Sequence, residues 1–181
     1  MLAFIRRMAL RIASLIPGNP ADIGMVESVP VRRAMGVIEH FRPDGHGGML
    51  LLNREVTYNV ITDVGRDFMH TQTYGTSPAG NGLNYIALSN DTVTETSAST
   101  VLSSEIVANG LQRAIGAVVH NAGTNTTTVQ KTFTASGAQA AQKAALFTAS
   151  SSGTMNHVLG FTQRSLQTND TLQVTFTLTV G

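Results

Sequence analysis

The chain has five histidines, and only His40 and His46 lie close together. With Glu39 and Asp44 beside them, they are the one local group that could offer ligands to a metal ion. Their spacing matches no zinc or iron motif, and no second cluster completes a coordination set. Solvated turn residues are the stronger reading. His70, His120 and His157 are isolated, and each reads as a loop or sheet-edge residue. Serine is abundant, yet no Gly-x-Ser-x-Gly elbow occurs. Gly45-His-Gly-Gly48 and Gly80-Asn-Gly82 lack the Lys-Ser/Thr that a phosphate loop needs. Glu105 and Arg113 suit an ion pair that braces a loop. No two carboxylates suggest a catalytic separation. The expectation is a protein with no catalytic, cofactor-binding or metal residues, and therefore not an enzyme.

The composition agrees with a structural role. Charged residues make up 13% of the 181, about half the usual ~25%. Thr, Ser, Asn and Gln take their place, which implies a hydroxyl-rich sheet face or a surface buried against other subunits. The net charge is +1, too small to argue for nucleic-acid binding. There are no cysteines, which removes disulfides, thiolate nucleophiles and Cys-based zinc sites together. Residues 1–70 carry eight of the twelve basic and seven of the eleven acidic side chains. That asymmetry suggests a boundary near 70–82.

Elements follow from periodicity. The clearest is Thr171–Val180, where Leu172, Val174, Phe176, Leu178 and Val180 alternate with threonines and Gln173. A period of two sends one set to each face of a strand, and ten residues span about 33 Å. Such a strand needs a sheet beside it and a second layer over its apolar face. Residues 1–16 read as a short basic amphipathic helix. Arg11 argues against a signal peptide, and the length and charge argue against a membrane span. A membrane-surface helix and a helix packed on its own domain both fit the pattern, but an arm docking on a partner subunit is preferred. Pro17-Gly-Asn-Pro20 stops the helix. Residues 36–41 and 49–52 read as a hairpin around Pro43-Asp44-Gly45. Residues 53–70 fit either a strand or a helix near 60–71, with Asn53 a possible cap. Residues 71–82 read as a linker.

Beyond it, strands are expected over 83–88, 111–120, 126–135 and 157–164, with a short helical turn over 100–106. Val129, Lys131 and Phe133 are placed on one face. The alanine-rich run 139–147 is the one helix candidate here, though a turn into a strand is also open. The sum is a mainly β chain: an antiparallel, jelly-roll-like β-sandwich over 83–181, a small mixed segment over 36–82, and a helical or extended N-terminal arm over 1–35.

From about residue 82 on, the chain resembles a domain found in many tailed-bacteriophage structural proteins. The matching pieces are Asn84-Tyr-Ile-Ala-Leu-Ser89, Leu102-Ser-Ser-Glu105, Gly110-Leu-Gln-Arg113, Lys131-Thr-Phe-Thr-Ala135, Ala145-Leu-Phe147, Gly160-Phe-Thr-Gln-Arg164 and Asp170 to Val180. Ala145 stands where many of those proteins carry glycine. The resemblance implies a virion structural protein, first a capsid decoration or cement protein on the head surface. Its partner would be the major capsid protein, and a homotrimer would suit the threefold sites of a capsid lattice. The alternative is a tail adaptor, fibre or receptor-binding module with tail proteins as partners. In that case Tyr74 and Tyr85 would be candidates to line a sugar site. No membrane partner is expected. Arg6, Arg7, Arg11, Arg32 and Arg33 could face packaged DNA, but acidic protein partners explain them as well, and nucleic acid is disfavoured.

Overall fold

The computed structural model describes residues 34–75 and 82–179. The chain divides into two units, Met1–Pro30 and Val31–Gly181, and every described residue belongs to the second. The arm reading for 1–35 therefore lies, except for its last two residues, outside the described residues.

The alternating C-terminal segment is the strand expected. It forms β10 (Thr171–Thr179), whose Leu172, Val174 and Phe176 are fully buried, while the intervening threonines and Gln173 stay half-buried on the other face. Four strands join it in the first sheet: β1 (Met35–Pro43), β2 (Met49–Tyr58), β6 (Ala117–His120) and β7 (Thr126–Thr134), in the order β2-β1-β10-β7-β6. The second sheet runs β3-β9-β8-β4-β5, from β3 (Val60–Ile61), β4 (Tyr85–Ser89), β5 (Ala114–Ile115), β8 (Gln139–Phe147) and β9 (Met155–Leu166). All these pairings are antiparallel. The two sheets pack face to face, as in a β-sandwich. Ile38, Phe133 and Phe176 from the first sheet meet Ile86, Leu88, Leu146 and Leu159 from the second in one core.

The sandwich is larger than the segment 83–181. β1 lies against β10 from Met35↔Thr177 to Phe41↔Thr171, and β3 pairs with β9. Residues 35–61 are thus woven into both sheets, and the charge asymmetry near 70–82 marks no break in the fold. The hairpin 36–52 forms as read. The helix is α1 (Asp63–Tyr74), shifted towards the C terminus from 60–71, because Val60 and Ile61 are used as strand. Its cap is Thr62, not Asn53. Thr62 Oγ1 accepts from Gly65 N at 3.0 Å and donates to the Met155 carbonyl at 2.5 Å, so the cap also anchors the helix to β9.

Three further expectations are corrected. Residues 139–147 are strand, not helix: β8 lies between β9 and β4, and burial on both faces overrides the helix preference of alanine. Residues 100–106 form no helical turn; a bend and a turn lead into an isolated bridge between Ser89 and Glu105. The strand expected over 111–120 splits at Gly116, with β5 in one sheet and β6 in the other. A Cβ at residue 116 would sit 2.9 Å from the Gln130 carbonyl oxygen, so the crossing chain can approach β7 closely only as glycine.

The second sheet is covered on its far side too. Ala87, Ala145, Phe147, Met155 and Val158 form a separate apolar cluster with Leu102, from the long β4–β5 loop.

Candidate functional site

The residues singled out for metal binding do not converge. Glu39 and His40 are neighbours on β1 and find different partners. Glu39 Oε1 accepts from Arg54 at 3.2 Å on the exposed side. His40 is buried, and its Nε2 lies 3.0 Å from Asp170 Oδ2. Asp44 caps its own turn, accepting from the backbone N–H groups of His46 and Gly48 at 2.7 and 2.8 Å. Those bonds hold its carboxyl below the usual carboxylate range. Among the described residues, no group of three or more His, Asp or Glu side chains is arranged to hold a metal ion.

The other histidines are also apart. His70 lies 5.9 Å from the ring of Tyr74 on α1, and exposed His120 contacts the Thr126 carbonyl at 2.9 Å. His157 is buried on β9, opposite Ile61 and Leu146, and its Nδ1 has no hydrogen-bond partner. Burial alone pushes its pKa from 6.5 down to about 4, so it is neutral at pH 7. Tyr85 packs on the cluster beneath the β4–β5 loop, whereas Tyr74 is exposed at the end of α1.

The charged side chains instead form clamps. Asp170, in the turn before β10, accepts from Arg42 Nε at 2.8 Å, Arg42 Nη2 at 2.6 Å and Gln167 N at 2.9 Å, besides its contact with His40. Its carbonyl takes the Ala135 N–H at 2.9 Å. One residue thus ties the ends of β1, β7, β9 and β10 together. The Arg42 guanidinium, against the opposing effect of burial, holds the Asp170 carboxyl far below the ordinary carboxylate range.

Arg113 and Glu105 form the expected pair, and do more. Arg113 Nε and Nη2 donate to Glu105 Oε1 and Oε2 at 2.9 and 2.6 Å, a two-pronged contact. Its Nη1 reaches the carbonyls of Ala149 and Ser152 at 3.1 and 2.7 Å, and the guanidinium lies 3.6 Å from the centre of the Phe147 ring. The pair fastens the β4–β5 loop to the β8–β9 turn.

Two more clamps were not foreseen. Lys143 is buried in the alanine-rich β8 and donates to Asp91 and Glu95, both at 2.9 Å. Burial lowers its pKa, but the bonds to Glu95 and Asp91 outweigh that and the net shift is upward. Glu55 on β2 accepts from Arg164 Nη2 at 2.6 Å and from Thr162 N at 3.1 Å. Thr57 Oγ1 donates to the Gly160 carbonyl at 2.9 Å. These bonds close one side of the sandwich, where β2 leans on β9.

Between β2 and the loop segment 91–95 runs an open groove of about 470 Å³, lined by Glu55, Tyr58, Asp91, Glu95, Gln142 and Lys143 among others. No helix among the described residues is long and apolar enough to cross a membrane. No family model matches the chain, and neither a curated protein nor a solved structure matches it.

Proposed function

We propose that the chain is a non-enzymatic structural protein of a tailed-bacteriophage virion, and first a capsid decoration or cement protein on the head. The observation that carries this reading is the outer face of the first sheet. Across β10 and β7, Thr171 stands opposite Thr134, Gln173 opposite Thr132, Thr175 opposite Gln130, Thr177 opposite Thr128 and Thr179 opposite Thr126. Gln130 and Gln173 bond to the facing threonines at 2.9 and 3.0 Å, so part of this array is held in place. Interface centres are depleted in charge, and on this face β10 and β7 carry none, so burying them avoids the desolvation cost of burying ions; the Glu39–Arg54 pair lies beside them on β1 and β2. Charge is meanwhile largely paired within the chain. Six of the seven Lys and Arg side chains among the described residues are in ion pairs. The resemblance from residue 82 onward supplies the virion context.

The test is co-sedimentation of the purified chain with separated heads and tails of the virion whose genome encodes it. Binding to heads supports the cement reading, and binding to neither overturns both virion readings. Binding to tails alone favours a tail adaptor, fibre or receptor-binding module. The groove beside Tyr58 supports that second reading, because an aromatic ring among carboxylates and an amide suits a sugar.

A further inference from the structure

The two edges of the first sheet differ from its centre. On β10 and β7 the outer face is threonine and glutamine, polar but without charge. The edge strands carry apolar side chains on both faces. At one edge the β1–β2 hairpin overhangs the sheet, since β10 meets β1 no further than Phe41. Its tip presents Met49, Leu50 and Leu51, with Leu50 58% exposed. At the opposite edge, all four residues of β6 are exposed. Val118 lies opposite Val129 and Val119 opposite Thr128, so the two valines point to opposite faces, and Val118 is 51% exposed. Exposed Ile115 adjoins them on β5.

Proteins usually protect such edges with lysine, proline or inward-pointing charge. β2 has such a charge only in its second half, where Glu55 turns inward to Arg164; neither β2 nor β6 contains Lys or Pro, and no Asp, Glu, Lys or Arg occurs in residues 49–53 or 114–130. The two strips are thus matched in lacking charge, and pairing them strands none. Six half-exposed side chains leave roughly 500 Å² of apolar surface, about half of what a specific interface buries at minimum, before the joined strand backbones and the rim are added.

We propose that copies of this chain join head to tail through the first sheet. The Met49–Leu51 tip of one copy lies along β6 of the next, extending the sheet across the contact, and the chain of contacts closes into a ring. A second copy is the fitting occupant because every copy carries one strip of each kind on opposite edges of one sheet. A contact between unlike patches closes into a ring when its rotation allows. This deepens the building-block reading above and rests on it, but it is tested on the purified chain without any particle, so either can fail without the other.

The experiment is sedimentation velocity on the full chain at tens of micromolar. It compares wild type, Leu50→Lys and Val118→Lys, with circular dichroism as the check on folding. The wild type should sediment as a closed oligomer and each variant as a monomer. An equimolar mixture of the two variants should give a dimer, because the intact tip of Val118→Lys meets the intact β6 of Leu50→Lys. A monomeric wild type overturns the proposal. So does a variant that keeps the wild-type oligomer, or a mixture that stays monomeric. If either lysine unfolds the chain, Leu51→Lys and Val119→Lys probe the same two strips.

Discussion

Asp170 Oδ2 lies 3.0 Å from His40 Nε2, although the two residues are 130 positions apart in the chain. The contact closes the sandwich at the point where β9 turns into β10, and Arg42 reaches the same carboxylate from the end of β1. Removing one partner from a buried charged contact strands the other, which is why such losses are large.

Asp170→Ala should destabilise the fold by about 3 kcal/mol, read as a fall in the urea midpoint. The carboxyl titrates lower in the folded state than in the unfolded chain. Its contribution is therefore present above the unfolded value near pH 4 and is lost as pH falls towards the folded one. Asp170→Asn should be less stable than wild type at pH 7, and the gap should narrow in acid. A gap that does not change between pH 7 and pH 2.5 would contradict this role.

His157 gives a separate acid response. Its folded pKa of about 4 lies below the ordinary 6.5, so its stabilising contribution is present above pH 6.5 and fades as pH falls towards 4. The whole effect amounts to about 3 kcal/mol at most. His157→Leu should flatten the pH dependence of stability between pH 6.5 and 4 relative to wild type. Denaturant midpoints at half-unit pH steps would show it, and parallel curves for the two proteins would refute it.

Arg113→Lys keeps the charge but loses the two-pronged grip on Glu105, the two carbonyl contacts and the stacking on Phe147. A loss of about 2 kcal/mol is expected. The β4–β5 loop should also become easier to cleave. Limited proteolysis, with the cut sites mapped by mass spectrometry, checks both the direction and the place.

Gly116→Ala should cost about 2 kcal/mol by overpacking. The new Cβ would press on the Gln130 carbonyl and on Val129 Cγ1, at 2.9 and 3.0 Å. Amide exchange should quicken at Val129 and Gln130 before it does in β10. An unchanged exchange pattern would mean that the crossing strand has more room than the structure gives it.

These residues also show what a sequence can reveal. β10 is legible because its threonines and apolar residues alternate without a break. β8 reads as helix because Gln139–Phe147 is rich in alanine. The alanines are there because both faces of the strand are covered: Ala144 lies in the main core and Ala145 in the cluster with Leu102. That demand for small side chains comes from tertiary packing, which local propensity does not contain. The Glu105–Arg113 pair is readable at a separation of eight residues. Lys143 leaves only a faint mark, a lone cation in an apolar run, and its partners Asp91 and Glu95 look like ordinary loop residues. Asp170 sits in a turn that any polar residue would suit, and nothing near it points to His40 or Arg42. Residues 35–61 look separate from the C-terminal module because their partners β9 and β10 come last in the chain.

Whether this sandwich is a building block of a virion head is decided by counting it there. Purified particles would be separated into heads and tails, and the chain quantified against the major capsid protein by mass spectrometry with labelled peptide standards. Many copies per head are expected, in a fixed ratio to the capsid protein. Absence of the chain from the purified head fraction would contradict it.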